Sequence, residues 1–194
     1  MKDIALAGPA GVGKDTVAQI LVRDHGYKRL AFADELKRVL LEVNPTVGMG
    51  GLREMVEALG WEEAKVHTEV RRLLQEFGMA MRGVDERIWI RALDEIIRWV
   101  DPDTPVVITD VRMPNELAYA KTIGLFTVHL DRPGVRTDAG WRKHSSETGL
   151  DGLLDEFDLT FNGDWTAHSV VDELLEHMSK STVPSAPALN GRLR

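Results

Sequence analysis

Short apolar runs alternate with stretches of helical period along the first 180 residues, a pattern that predicts an α/β fold built on a parallel sheet. Five segments read as strands: Ile4 to Ala7, Arg29 to Phe32, Val106 to Thr109, Phe126 to Leu130 and Leu159 to Phe161. Each is short, largely apolar and bounded by Gly, Asp or Asn. The clearest helical stripe is Ala167, Val170, Val171, Leu174, Leu175 and Met178, spaced to close against a sheet. Between the second and third strands lie about 70 residues, more than a crossover needs, so an all-helical insert is expected there. Within it Val70, Leu73, Leu74, Phe77 and Met81 form one apolar face, and Ile88, Leu93, Ile96, Ile97 and Val100 form another. Pro45 to Gly51 reads as a mobile joint between sheet and insert, and residues 180–194, without periodicity, as a flexible tail.

Composition narrows the function classes. The 194 residues carry 24 Lys+Arg against 31 Asp+Glu, a formal charge of −7, so no global footprint for nucleic acid is present. Any polyanion must meet a local cluster of cations. The absence of cysteine excludes disulfides, thiolate metal sites and Cys nucleophiles. No apolar run approaches the roughly 18 residues of a membrane span, and the N-terminus lacks a signal-peptide layout; a cytoplasmic protein is expected.

The strongest chemical signal is Gly8-Pro9-Ala10-Gly11-Val12-Gly13-Lys14-Asp15-Thr16, placed between the first strand and a helix carrying Val17, Ile20 and Leu21. A glycine-rich turn aims backbone N–H groups at a phosphate, the helix N-terminus adds partial positive charge, and Lys14 supplies a mobile ammonium. The hydroxyl that usually follows the lysine and ligates Mg²⁺ is replaced by Asp15, with Thr16 one place later. Asp15 either holds Mg²⁺ through water or faces a second substrate.

Val106 to Asp110 is an apolar strand ending in a carboxylate, which could orient magnesium or the attacking group. Arg112 follows, just before Pro114 at a helix start, where a guanidinium can fork a pair of phosphate oxygens. A mutual Asp110–Arg112 pair or a helix cap is the competing reading. In the insert, Arg71, Gln75, Gly78 and Arg82 fall on one stripe, a groove for a nucleoside monophosphate or simply a solvated face. Lys37 could reach the same cleft. Arg132, Arg136, Arg142, Lys143 and His144 form a cationic cluster punctuated by Gly134 and Gly140, which reads as a lid closing over phosphates. Asn162-Gly163 offers backbone groups to an adenine edge, or is a plain turn.

Taken together, Gly8 to Thr16, Phe32 to Lys37, Arg71 to Gly78, Asp110 to Glu116 and His144 to Glu147 resemble, in order, the bacteriophage-type deoxynucleoside monophosphate kinases of the P-loop group. Where that family often shows Gly-Thr-Glu, this chain has Gly78-Met79-Ala80. The resemblance implies a P-loop NTPase fold, a five-stranded parallel sheet flanked by helices, with a helical monophosphate-binding insert and a lid. The corresponding ranges are a core of residues 1–33, 101–131 and 157–179, an insert of 34–100 and a lid of 132–156. It implies transfer of the ATP γ-phosphate to a deoxynucleoside monophosphate with Mg²⁺, small-molecule nucleotides as partners, neither nucleic acid nor membrane, and a host-cytoplasmic location if phage-encoded; a homodimer stays open. ATP would be held by Gly11, Val12, Gly13, Lys14, Asp15, Thr16, Arg132 and Asn162, and the acceptor by Lys37, Arg71, Gln75, Arg82, Asp110, Arg112, Asn115 and Glu147. Lys14, Asp15, Arg112, Arg132 and Arg142 would carry catalysis, and Asp15, Thr16 and Asp110 the metal. Another small-molecule P-loop kinase, such as a dephospho-coenzyme A kinase, and a nucleotide switch or ATPase without acceptor remain alternatives.

Overall fold

A computed structural model describes residues 2–132 and 149–180. They divide into two compact units, residues 2–31 with 96–132 and 149–180, and residues 32–95.

The first unit is built on a five-stranded parallel sheet. Its strands are β1 (Ile4–Ala7), β2 (Lys28–Leu30), β5 (Val106–Val111), β6 (Phe126–Asp131) and β7 (Leu159–Asn162), in the order β2-β5-β1-β6-β7. All four residues of β1 are buried, as a central strand of a parallel sheet requires. The chain leaves β1 toward the β2 edge and leaves β6 toward the β7 edge, so a topological switch point lies between β1 and β6. Crevices at such points, outside the carboxyl ends of the strands, are where open α/β sheets bind ligands.

Helices α1 (Lys14–His25) and α7 (Ala167–Lys180) pack together. Ile4, Leu6, Val17, Leu21, Val128, Leu130, Val170 and Leu174 fill the core beneath them. Each such side chain contributes about 1.5–3 kcal/mol relative to exposure. Thr166 and Ser169 start α7 by exchanging side-chain oxygens for backbone N–H groups, at 3.1 and 3.0 Å. α6 (Pro114–Thr122) joins β5 to β6.

The second unit contains α2 (Phe32–Val43), β3 (Thr46–Val47), β4 (Gly50–Gly51), α3 (Leu52–Ala64), α4 (Thr68–Val84) and the first part of α5 (Ile88–Arg98). Two expectations are corrected here. Phe32 does not end a strand: β2 stops at Leu30, and Phe32 opens α2 because Phe32, Leu36 and Leu40 make a buried stripe at i, i+4 spacing. Pro45 to Gly51 is not a joint between sheet and insert. It forms the antiparallel β3–β4 hairpin inside the second unit, where the Asn44 Oδ1 accepts the Arg53 N–H at 2.7 Å and Val47 is buried. Among the described residues no helix is long and apolar enough to cross a membrane.

Candidate functional site

The loop after β1 is shaped by what surrounds it. Gly8 has φ +131°, and a Cβ there would stand 2.0 Å from the Leu130 carbonyl oxygen at the end of β6. Only glycine lets the turn lie this close to its neighbour strand. Val12 anchors the far side of the loop in the core, and its N–H reaches the Pro9 carbonyl at 3.3 Å. Gly13, at φ +114°, is the N-cap of α1 and has no side chain of its own to bond the first-turn amides. The first N–H groups of a helix lack intrahelical partners, so this end of α1 presents donors and partial positive charge.

Lys14 lies over that turn and is only 6% exposed. Its ammonium donates to the Gly8 and Pro9 carbonyl oxygens at 2.7 and 2.8 Å, which folds the cation back onto its own loop. Gly11, Asp15 and Thr16 are exposed around it. A cavity of about 250 Å³ runs along the outer face of α1, lined by Asp15, Ala18, Gln19, Val22 and Arg29.

Beside β1, the register of β5 slips: Ala5 pairs with Ile108, yet Ala7 pairs with Val111. This bulge falls at Thr109 and Asp110, and bulges re-aim side chains next to functional sites. Asp110 and Arg112 are both half-buried. The turn that carries Arg112 is held by a residue to which the sequence reading gave no role. The Glu116 carboxylate, 2% exposed, accepts the N–H groups of Arg112 and Met113 at 2.9 and 3.1 Å. Pro114 at the first helical position and Glu116 at the third were the available sequence signal. Asn115 is half-buried in the same turn.

At the end of β6, the Arg132 guanidinium stacks on Trp165, with Cζ 4.2 Å from the ring centroid, and donates to the Trp165 carbonyl at 2.6 Å. Trp165 in turn reaches the cradle, since a Cβ on Gly13 would meet its ring edge at 3.3 Å. The structure thus brings Gly13, Lys14, Arg132 and Trp165 into one neighbourhood, and only the tryptophan carried no signal in the sequence. Asn162 is exposed at the end of β7, in register with Asp131. Arg142, Glu147 and the rest of the expected lid cluster, Arg136, Lys143 and His144, lie outside the described residues, as does the tail from residue 181.

In the second unit, Lys37 is half-buried, 3.8 Å from Asp34 and 5.7 Å from the centroid of the Trp61 ring. Arg71, Gln75 and Arg82 are half-buried along α4. The outward arginines are saturated by their own helices: Arg72 binds Glu69 and Glu76, and Arg38 binds Glu35 and Glu42. Hydrogen bonding to Arg38 holds the Glu35 carboxyl below its ordinary range, and Arg72 does the same to Glu69. Gly78 does not leave a groove. It is buried under Leu36, whose Cδ1 would stand 2.7 Å from a Cβ at that position, and its carbonyl accepts the Trp89 indole N–H at 3.2 Å. The missing side chain serves the approach of α2 to α4.

Comparison with known proteins gives four findings. The family profile described as Deoxynucleotide monophosphate kinase matches residues 51–165. A protein of Acanthamoeba polyphaga mimivirus, provisionally named a deoxynucleotide monophosphate kinase, is 29% identical over 170 residues, covering 76% of this chain and 81% of the relative. An uncharacterized Ictalurid herpesvirus 1 protein is 29% identical over 155 residues, which span 78% of this chain and 60% of that protein. Among solved structures, shikimate kinase from Acinetobacter baumannii in complex with shikimate superposes with a TM-score of 0.53 at 16% identity, over 94% of this chain and 96% of that one. The last likeness shows the fold alone, a P-loop α/β fold.

Proposed function

The chain belongs to the deoxynucleotide monophosphate kinase family, and from that premise we propose that it transfers the γ-phosphate of ATP to a deoxynucleoside monophosphate. The observation that carries the reading is the loop from Gly8 to Lys14. Its backbone presents the amide end of α1, and a buried ammonium is held over it by two carbonyls. An ammonium in that place can exchange its two carbonyl contacts for phosphate oxygens and so stabilise the charge on the transferred group.

In this mechanism an oxygen of the acceptor monophosphate, already ionised at neutral pH, attacks the γ-phosphorus as the bond to the β-phosphate oxygen breaks, leaving ADP. Lys14 and the first-turn amides hold the donor phosphates. Arg112, on a turn fixed by Glu116, forks the acceptor phosphate, with Asn115 and Asp110 beside it. Lys37, Arg71, Gln75 and Arg82 take the acceptor nucleoside, and Arg132 and Asn162 complete the donor side. Arg142 and Glu147 keep the roles implied by their motifs.

Mg²⁺ fits the donor set. Asp15 and Thr16 in the first turn of α1 and Asp110 on β5 are hard oxygen donors, two carboxylates and a hydroxyl. That matches an ion held by one or two carboxylates plus substrate phosphates. When bound, Mg²⁺ offsets charge on the phosphate oxygens.

The test is ADP release by the purified protein with ATP and Mg²⁺ against each common monophosphate in deoxy and ribo forms. Release that depends on a deoxynucleoside monophosphate is expected; release indifferent to every acceptor would replace the reading with that of an ATPase.

A further inference from the structure

Trp165 makes more connections at the carboxyl edge of the sheet than its place in an ordinary loop demands. Its indole N–H donates to the Asp131 carbonyl at 2.9 Å, and its own carbonyl accepts from Arg132 at 2.6 Å. Its ring face supports the Arg132 guanidinium at 4.2 Å, and its benzo edge lies against Gly13, the N-cap of α1. One side chain therefore ties together the phosphate loop, the end of β6 and the loop after β7.

The way Arg132 is held matters. Among the described residues its guanidinium has no carboxylate partner; its contacts are the Trp165 ring and carbonyl, while its Nε–H is buried without an acceptor. An aromatic face orients a guanidinium without neutralising it, whereas an aspartate or glutamate would fix it and consume its charge. A buried donor lacking an acceptor is costly to maintain, so among the described residues the arrangement leaves the Arg132 charge unspent on the Trp165 face.

We propose that Trp165 is a positioning residue for the donor nucleotide: it sets Arg132 as an unneutralised cation for the polyphosphate and braces the N-cap of the cradle from outside. This rests on the reading of the Gly8–Lys14 loop as the donor site. The ligand class is a nucleoside triphosphate, recognised through its phosphates. Trp165 touches no reacting atom; it acts through Arg132 and Gly13.

The test compares Trp165→Leu, Trp165→Phe, Arg132→Ala and the Arg132→Ala/Trp165→Leu double variant in the full chain. It uses ATP binding by calorimetry, kinetics with ATP and with a deoxynucleoside monophosphate, and thermal melting. Trp165→Leu is expected to weaken ATP binding and raise the ATP KM about tenfold while the acceptor KM stays within about twofold. Trp165→Phe, which keeps an aromatic face, should recover most of that loss. Arg132→Ala should reproduce the ATP defect, and the double variant should be little worse than either single one, because both changes remove one coupled unit. Additive losses, equal weakening of ATP and acceptor, or full ATP affinity in Trp165→Leu would overturn the proposal. Should Trp165→Leu melt before assay temperature, Trp165→Phe against Arg132→Ala decides by the same KM split. The calorimetric cycle needs no acceptor, so a chain that binds ATP but phosphorylates no monophosphate would defeat the kinase reading while still testing Trp165.

Discussion

Replacing Gly8 or Gly13 by alanine makes the same chemical change at two ends of one loop, and the structure assigns them different costs. Both positions have positive φ, +131° and +114°, so each alanine carries backbone strain of about 1–2 kcal/mol. At Gly13 the new methyl meets only the edge of the Trp165 ring at 3.3 Å, which a shift of a few tenths of an ångström relieves. At Gly8 it would overlap the Leu130 carbonyl oxygen at 2.0 Å, and that obstacle is main chain of a buried strand. The loop or β6 must move, adding about 1–3 kcal/mol as overpacking generally does. Gly8→Ala is therefore expected to cost about 2–5 kcal/mol and Gly13→Ala about 1–2 kcal/mol. Urea unfolding of both variants beside the wild type measures the difference, and an unchanged m-value would confirm that neither state has changed in compactness. Gly8→Ala within about 0.5 kcal/mol of wild type, or equal to Gly13→Ala, would refute the packing of the cradle against β6.

Other expectations concern chemistry and pH. Lys14→Ala should fold yet lose about two to four orders of magnitude in turnover, since its contact to the migrating phosphoryl is worth several kcal/mol; steady-state kinetics with a melting curve checks both halves. Arg112→Lys should raise the acceptor KM and lower kcat with ATP affinity unchanged, because an ammonium cannot fork two phosphate oxygens; a matched loss for both substrates would move Arg112 out of the acceptor site. Asp15→Ser should keep ATP binding but impair turnover, and a fully active variant would remove Asp15 from the site. Tyr27 donates its hydroxyl to the Lys2 carbonyl at 3.0 Å, and burial, aided by the charge of Asp3, pushes its phenol up to about 12. The unfolded phenol ionises near about 10, so its contribution, about 2–3 kcal/mol, is complete below that pH and is lost as pH rises through the folded value. Urea midpoints between pH 9 and 12 should fall more steeply for wild type than for Tyr27→Phe; parallel curves would contradict this.

The sheet and the cradle were legible in the sequence because both rest on local signals. Four apolar residues at Ile4–Ala7 followed by a glycine turn and an amphipathic helix leave little choice of structure. Phe32 was ambiguous for a definite reason: an apolar residue after Leu30 extends a strand pattern and equally begins the Phe32, Leu36, Leu40 helix stripe, and tertiary burial decided for the helix. The hairpin at Thr46–Gly51 escaped because two-residue strands have no measurable period, and its fixing contact, Asn44 to Arg53, spans nine positions. Gly78 looked like space beside a polar stripe, but only the packing of another helix, through Leu36, could show that the space is filled. Glu116 and Trp165 carry their parts through contacts: a carboxylate bonding two N–H groups of a turn, and a ring shared by three loops. Glu116 shares a helix-start spacing with Pro114 that marks the turn, whereas Trp165 has no spacing that a linear pattern could reveal.

On the proposed function, the Gly8–Lys14 loop delivers the ATP γ-phosphate to a deoxynucleoside monophosphate. Incubating the protein with ATP labelled in the γ-phosphate, Mg²⁺ and each deoxynucleoside monophosphate, then separating the nucleotides, follows the phosphoryl group itself. The label is expected in a deoxynucleoside diphosphate, and to remain in ATP when Lys14→Ala replaces the wild type. Label appearing only as inorganic phosphate, or reaching the diphosphate equally well without the lysine, would contradict the account.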